Sequence, residues 1–206
     1  VKDGVLAFTF PDFAVTVEEE KKQAADPKAA EEVKSELNEI IGLSEVKDYV
    51  LSLEQNYIIQ RLREARGMKA DVPTMHMIFT GNPGTGKTTI ARLVSRYLKA
   101  MGVLSGGQLI EVTRADLVGK YVGHTAPLTQ QVIRSALGGV LFIDEAYSLY
   151  RGADDSFGLE AIDTIVKGME DHREDLIVIL AGYTKEMEEF LTANSGLRSR
   201  FPNIIE

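Results

Sequence analysis

Residues 81–88 read Gly-Asn-Pro-Gly-Thr-Gly-Lys-Thr, a match to G-x-x-x-x-G-K-[ST]. Few stretches of this length restrict a fold so tightly. Its glycines lack the Cβ atoms that would stop the backbone from curling. A curled backbone turns its N–H groups inward as an anion nest. The pattern needs a strand before it and a helix after it, and both are written in the chain. Met75 to Thr80 is a short apolar run of strand type. Ile90, Ala91, Val94, Tyr97, Leu98 and Met101 recur at helical spacing. A helix starting there adds its positive end to the nest. The segment therefore reads as a cradle for ATP, with Asn82, Pro83, Gly84, Thr85, Gly86 and Thr89 around the nucleotide. Lys87 is expected to reach the β- and γ-phosphates, and the Thr88 hydroxyl to ligate Mg²⁺.

Around the loop, apolar runs alternate with helical periodicity. Gln108 to Val112, Val140 to Ile143 and Leu176 to Leu180 are strand-like, and Asn203 to Glu206 begins another. Leu128, Val132, Ile133, Ala136 and Leu137 mark one intervening helix. Ile162, Ile165, Val166 and Met169 mark a second, and Met187, Phe190 and Leu191 a third. Strand and helix in alternation predict an α/β fold of the P-loop type: a five-stranded, mostly parallel sheet with helices on both faces. Ahead of the loop, Ser44 is a fitting N-cap for a long helix with Val46, Tyr49, Val50, Leu53 and Tyr57 on one face. Ile58, Ile59 and Leu62 widen that surface, which predicts packing on more than one partner.

Residues 1–36 are expected to be an extension or linker, and 37–206 the folded unit. Val1 to Val17 alternates loosely and is broken by Pro11, which fits an edge strand or the tail of a preceding domain. Glu18 to Glu36 is rich in Ala, Glu and Lys, which favours exposed helix interrupted at Pro27, and fits a solvated linker better than a functional acidic tail. Residues 1–41 carry ten acids and five bases, so much of the net charge of −8 sits there. An acidic balance disfavours a nucleic-acid-binding surface. With no cysteine there is neither a disulfide nor a thiolate metal site. No apolar run approaches the ~20 residues of a membrane span, and a cytoplasmic setting is expected. The chain starts at Val1 rather than Met, so it is expected to be a fragment.

Binding a nucleotide is not hydrolysing it. Val140-Leu141-Phe142-Ile143 runs into Asp144-Glu145, placing two acids at a strand's carboxyl end, where open α/β sheets bind ligands. Asp144 is expected to hold Mg²⁺ through its water shell, and Glu145 to polarise the attacking water. An acid pair there can also be a solvated strand end. Arg198 and Arg200 precede the fifth strand; either one can be an arginine finger or a surface ion pair. Tyr121, in a glycine-flanked loop, is equally an exposed contact or a packing residue. Gly152 to Gly158 is polar and expected to be mobile. His76, His124 and His172 lack metal-ligand spacing.

With these residues the chain resembles the AAA+ ATPases, and within them the CbxX/CfqX group, from about Leu37 to Ile205. Beside the phosphate loop, Ala115 to Gly119 leading into Tyr121 to Ala126, Ala136 to Leu149, and Ile179 to Tyr183 carry the resemblance. It implies a homo-hexameric ring motor that grips a protein substrate in its pore. Tyr121 would be the pore-loop aromatic, and Gly152 to Phe157 would lie near a second pore loop. Arg200 or Arg198 would be a finger acting across subunits. Ile41 and Gly42 match the segment lining the adenine pocket. Tyr183 stands at the sensor position, with Thr184 as the alternative, where many relatives carry Asn or Thr. The small helical lid of the family is expected to be missing. A nucleotide-gated scaffold is the alternative function; a nucleic-acid motor is disfavoured by charge and by the aromatic loop.

Overall fold

The computed structural model describes residues 25–39, 44–67 and 74–206. The strands are β1 (Met77–Thr80), β2 (Leu109–Val112), β3 (Gly139–Ile143), β4 (Leu176–Gly182) and β5 (Asn203–Ile205). They form one sheet in the order β2-β3-β4-β1-β5, with every pair parallel. Register is fixed by contacts such as Phe79 opposite Ala181 and Ile143 opposite Leu180. The central strands are apolar throughout because both of their faces are covered. Val140, Phe142, Ile177, Ile179 and Ala181 point into one core cluster. Their neighbours Leu141, Ile143, Leu176, Val178 and Leu180 point into the other.

The first cluster is closed by α1 (Pro27–Glu39), α2 (Ser44–Ala65) and α3 (Lys87–Ala100). The second is closed by α4 (Arg114–Leu117), α5 (Thr125–Ala136), α6 (Ser156–Asp171), α7 (Thr184–Ala193) and α8 (Ser195–Arg198). A 3₁₀ turn, Ala146–Leu149, follows β3.

Two expectations change at the first cluster. α1 runs across the boundary drawn between residues 36 and 37, and its Val33 and Leu37 are buried with α3. Pro27 begins this helix instead of interrupting one, since the first helical position needs no N–H donor. Asp26 caps it, its Oδ1 accepting from Lys28 N at 3.1 Å and Ala29 N at 3.2 Å. The backbone N–H of Asp26 donates to Ala100 O at 2.7 Å, joining the start of α1 to the end of α3. In α2, Val50 and Leu53 are buried as expected, but Ile58, Ile59 and Leu62 are each about half exposed. Residues 1–17, read as a strand or tail, lie outside the described residues.

Candidate active site

β1 ends at Thr80, and the chain then turns through three glycines with positive φ: 141° at Gly81, 75° at Gly84 and 86° at Gly86. Only glycine takes these angles without strain. A Cβ built on Gly84 or Gly86 would meet nothing within 4 Å, because both open onto a cleft. Gly86 is the N-cap of α3, and Ile90 N donating to Gly86 O at 2.9 Å is an early bond of that helix. The N–H groups of its first turn have no partner within the helix. They face the cleft together with the helix's positive end, and the first turn carries no acid to oppose an anion.

The cleft holds about 470 Å³ and is lined by Pro83 to Thr89 on one side and by Asp144, Glu145, Gly182 and Tyr183 on the other. The register of the sheet explains the meeting. β4 lies between β1 and β3, so the carboxyl ends of all three open on the same edge. Gly81 N donates to Gly182 O at 3.2 Å and pins the loop to the end of β4. Lys87 Nζ donates to Gly81 O and Asn82 O, both at 2.9 Å, and stands 5.9 Å from the centroid of Tyr183, within cation–π range. Tyr183 faces Tyr147 at 5.8 Å between ring centroids. Burial, helped by the nearby Glu145 charge, raises the Tyr147 phenol above its ordinary range.

Two acids shape the other wall. Asp144 N donates to Val112 O at 2.8 Å, extending the β2–β3 ladder. Glu145 then turns at φ 47° and ψ 46°, the one non-glycine at positive φ among the described residues. The turn leaves the Glu145 side chain exposed at the cleft rather than packed along the strand. One further acid escaped the sequence reading. Thr88 Oγ1 donates to Glu111 Oε1 at 3.4 Å. Glu111 is the single charged residue of an otherwise apolar β2, and that interruption of the apolar run was the available signal.

The other expected site residues are spread more widely. Asn82 is not among the residues lining the cleft; its carbonyl serves Lys87 Nζ and also accepts from Thr85 Oγ1 at 2.9 Å. Ile41 and Gly42 lie outside the described residues. Neither Arg198 nor Arg200 lines the Lys87 cleft. Arg200 Nε donates to Glu170 Oε1 at 3.0 Å, and its Nη1 donates to Gly196 O at 2.9 Å. Arg198 is exposed and lines a separate groove with Thr80, Thr184 and Glu206. The Thr184 hydroxyl donates to Glu206 Oε1 at 3.2 Å and does not line the cleft.

Tyr121 is 69% exposed and Val122 88% exposed, so the packing alternative for Tyr121 does not hold within the chain. Its loop is nevertheless tied down. Thr129 Oγ1 donates to Leu117 O at 2.8 Å, and Gly119 N donates to Thr125 Oγ1 at 3.1 Å. Both threonines are fully buried. A Cβ on Gly119 would sit 2.7 Å from His124 Cβ, so the loop closes only with glycine there. The Tyr121 ring meets His124 edge-on at 5.5 Å. The segment expected to be mobile, Gly152 to Gly158, is also anchored: Asp155 caps α6 by accepting from Gly158 N and pairs with Arg114 at 2.7 Å. The Arg114 guanidinium holds the Asp155 carboxyl below its usual range.

The family model for the "ATPase family associated with various cellular activities (AAA)" matches residues 77–206. Stage V sporulation protein K of Bacillus subtilis (strain 168) is 48% identical over 186 residues, 90% of this chain and 58% of that protein. Protein CbbX of Cereibacter sphaeroides is 50% identical over 179 residues, 86% of this chain and 58% of that protein. A chloroplastic ribulose bisphosphate carboxylase/oxygenase activase of Cyanidioschyzon merolae is 49% identical over 166 residues, 80% and 57% respectively. The chain thus spans a little over half the length of these curated relatives. Among solved structures, the FIGL-1 AAA domain in complex with ADP aligns with a TM-score of 0.53 at 23% identity, covering 81% of this chain and 55% of that one; it supports the fold alone. Glycine cradle, paired acids and relatives agree: the chain belongs to the AAA family of ATPases, alongside the CbxX/CfqX proteins.

Proposed function

We propose that this chain is the ATP-binding and ATP-hydrolysing module of a motor that remodels protein substrates as a hexameric ring. The observation that carries the reading is the convergence of Lys87, Thr88, Asp144, Glu145 and Tyr183 on one cleft. One of the relatives is named as an activase of a carboxylase, which supports a protein as the object of the work.

In this reading each residue has a task. The N–H groups of Gly84 to Thr88 hold the phosphates without side-chain reorganisation. Lys87 exchanges its loop-carbonyl bonds for charge-assisted bonds to the β- and γ-phosphate oxygens. Thr88 and Asp144 would hold Mg²⁺, which would supply positive charge against that developing on the phosphates. Glu145 accepts a hydrogen bond from the attacking water and orients it toward the γ-phosphorus. Tyr183, 5.9 Å from Lys87 Nζ, serves as the sensor of the γ-phosphate. Arg198 or Arg200 serves the neighbouring subunit, as the resemblance implies; Arg198 is exposed, whereas Arg200 is bound to Glu170 and Gly196 O and must first leave them. Tyr121, presented on a closed loop, grips the substrate.

The test is Glu145→Gln in the whole protein, read by phosphate release and by substrate retention. A motor loses turnover and holds its substrate in the presence of ATP. Full biological activity without turnover would overturn the reading in favour of a nucleotide-gated scaffold.

A further inference from the structure

Arg114 occupies a position that nucleotide chemistry alone does not explain. It opens α4, the single turn leading from the end of β2 to the Tyr121 loop. Its guanidinium runs the other way. Nη1 donates to Ser148 O at 2.9 Å, to Leu149 O at 3.1 Å and to Asp155 Oδ2 at 2.7 Å, while Nη2 donates to Asp155 Oδ1 at 3.0 Å. The two side chains are only 16% and 12% exposed. A two-pronged pair of this kind fixes direction as well as distance.

The three elements it joins are functionally distinct. Ser148 and Leu149 belong to the turn that follows Glu145, and Ser148 N donates to Glu145 O at 2.8 Å. Asp155 caps α6 and sits in the segment 152–157. On its own backbone, Arg114 O accepts from Val118 N at 2.9 Å, where the Tyr121 loop departs. A continuous path therefore runs from Glu145 through Ser148 and Arg114 to Val118. A branch from Arg114 reaches Asp155. Close packing at the junction leaves no slack. A Cβ on Gly158 would overlap Leu149 O and lie 2.6 Å from Asp155 Oδ2 and 2.8 Å from Arg114 Nη1.

Connected groups transmit a change only where one element has two arrangements. Glu145 supplies the candidate, since a non-glycine held at φ 47° stores strain that a ligand at its side chain can redistribute.

We propose that Arg114 is a positioning residue that couples the Glu145 turn to the Tyr121 loop, with Asp155 as its clamp, so that the Tyr121 loop and the segment 152–157 move with the nucleotide site. This rests on the motor reading of Tyr121. Arg114 does not line the Lys87 cleft, so its loss is expected to uncouple without unbinding.

The chain contains no tryptophan, so Val122→Trp places a single fluorescent reporter on the exposed loop. Emission is read in the parent reporter protein and in Arg114→Gln and Asp155→Asn versions, with Mg·ATP and then Mg·ADP; ATP affinity is measured by calorimetry. Asparagine still caps α6, so the second variant keeps the helix start if the first one melts. The expected result is a nucleotide-dependent emission shift in the parent that both variants lose, with ATP affinity within about threefold. Arg114→Lys, which keeps a cationic donor facing Asp155 and the Ser148 carbonyl, should regain part of it. Variants that follow nucleotide as the parent does would overturn the coupling and leave the motor reading intact. A parent loop insensitive to nucleotide would overturn both. Affinity lost in parallel with the shift would reassign Arg114 to the binding site itself and also refute the proposal.

Discussion

Glu145 N donates to Asp144 Oδ1 at 2.9 Å, so the two acids at the end of β3 are locked to each other through one backbone bond. That bond accompanies the left-handed turn at Glu145. A left-handed non-glycine residue costs about 1–2 kcal/mol, and the cost is retained at the residue expected to act on water. Glu145→Gly relieves the strain and removes the carboxylate together. It is expected to abolish turnover while raising stability by about 1 kcal/mol, the glycine chain-entropy penalty offsetting part of the relief. Chemical denaturation and phosphate release check the two halves. A destabilised glycine variant would show that the turn is not strained.

Lys87 rests on two loop carbonyls, Gly81 O and Asn82 O. Its charge is thereby kept at the mouth of the cleft before any phosphate arrives. Lys87→Ala removes that charge and is expected to weaken ATP binding by at least about 100-fold, in line with a few charge-assisted bonds lost. Calorimetry with Mg·ATP measures this directly. Unchanged affinity would remove Lys87 from the site.

Local pattern made the sheet and the cleft legible. Unbroken apolar runs mark β3 and β4 as central strands covered on both faces, and the glycine loop needs no tertiary information to bend as it does. Asp144 and Glu145 were readable because a charge pair ends a wholly apolar run. What escaped was set by partners distant in sequence. Asp155 lies in a segment that looks mobile until Arg114, 41 residues earlier, is found against it. The start of α1 reads as an exposed helix in a linker because Val33 is a lone large apolar residue among many charges. Its burial depends on α3, whose surface no local window contains. Ile58, Ile59 and Leu62 erred the other way, since a wide apolar stripe does not say that this chain covers it.

The packing of α1 makes a direct prediction about the extent of the cooperative unit. Leu37 is 5% exposed in the same cluster as Leu98 and Met101. Leu37→Ala is expected to cost about 2–4 kcal/mol, and Asp26→Ala, which removes the cap, about 1 kcal/mol. Both should lower the midpoint of a single denaturation transition. A second transition, with α1 melting alone, would separate the helix from the core.

The Tyr121 loop predicts a contrast between tip and hinge. Tyr121→Ala removes an exposed ring and should change stability by less than about 0.5 kcal/mol, while abolishing substrate remodelling and sparing basal ATP hydrolysis. Gly119→Ala pushes a methyl group against His124 and should cost about 1–3 kcal/mol by overpacking. Thermal melts distinguish them. Equal destabilisation by the two substitutions would contradict the closed-loop geometry.

His76 gives the fold an acid limit. It is 5% exposed, and its Nδ1 accepts from Val178 N at 3.0 Å, filling a place in the β1–β4 region that a backbone carbonyl would otherwise take. That bond requires the unprotonated Nδ1. Burial pushes the imidazole down to about 4 from an ordinary 6.5. The unfolded chain therefore binds a proton in this interval that the folded chain refuses. Stability from this group is complete above pH 6.5 and is lost progressively as pH falls toward 4, by about 3 kcal/mol in all. Asp155, held low by Arg114, loses its contribution only at still lower pH, so His76 dominates the upper part of the window. Denaturant midpoints across the interval should fall with a slope approaching one proton in the parent. In His76→Asn, which retains an acceptor but cannot be protonated there, the slope should be shallower. Identical slopes in both proteins would show that this histidine does not set the acid limit.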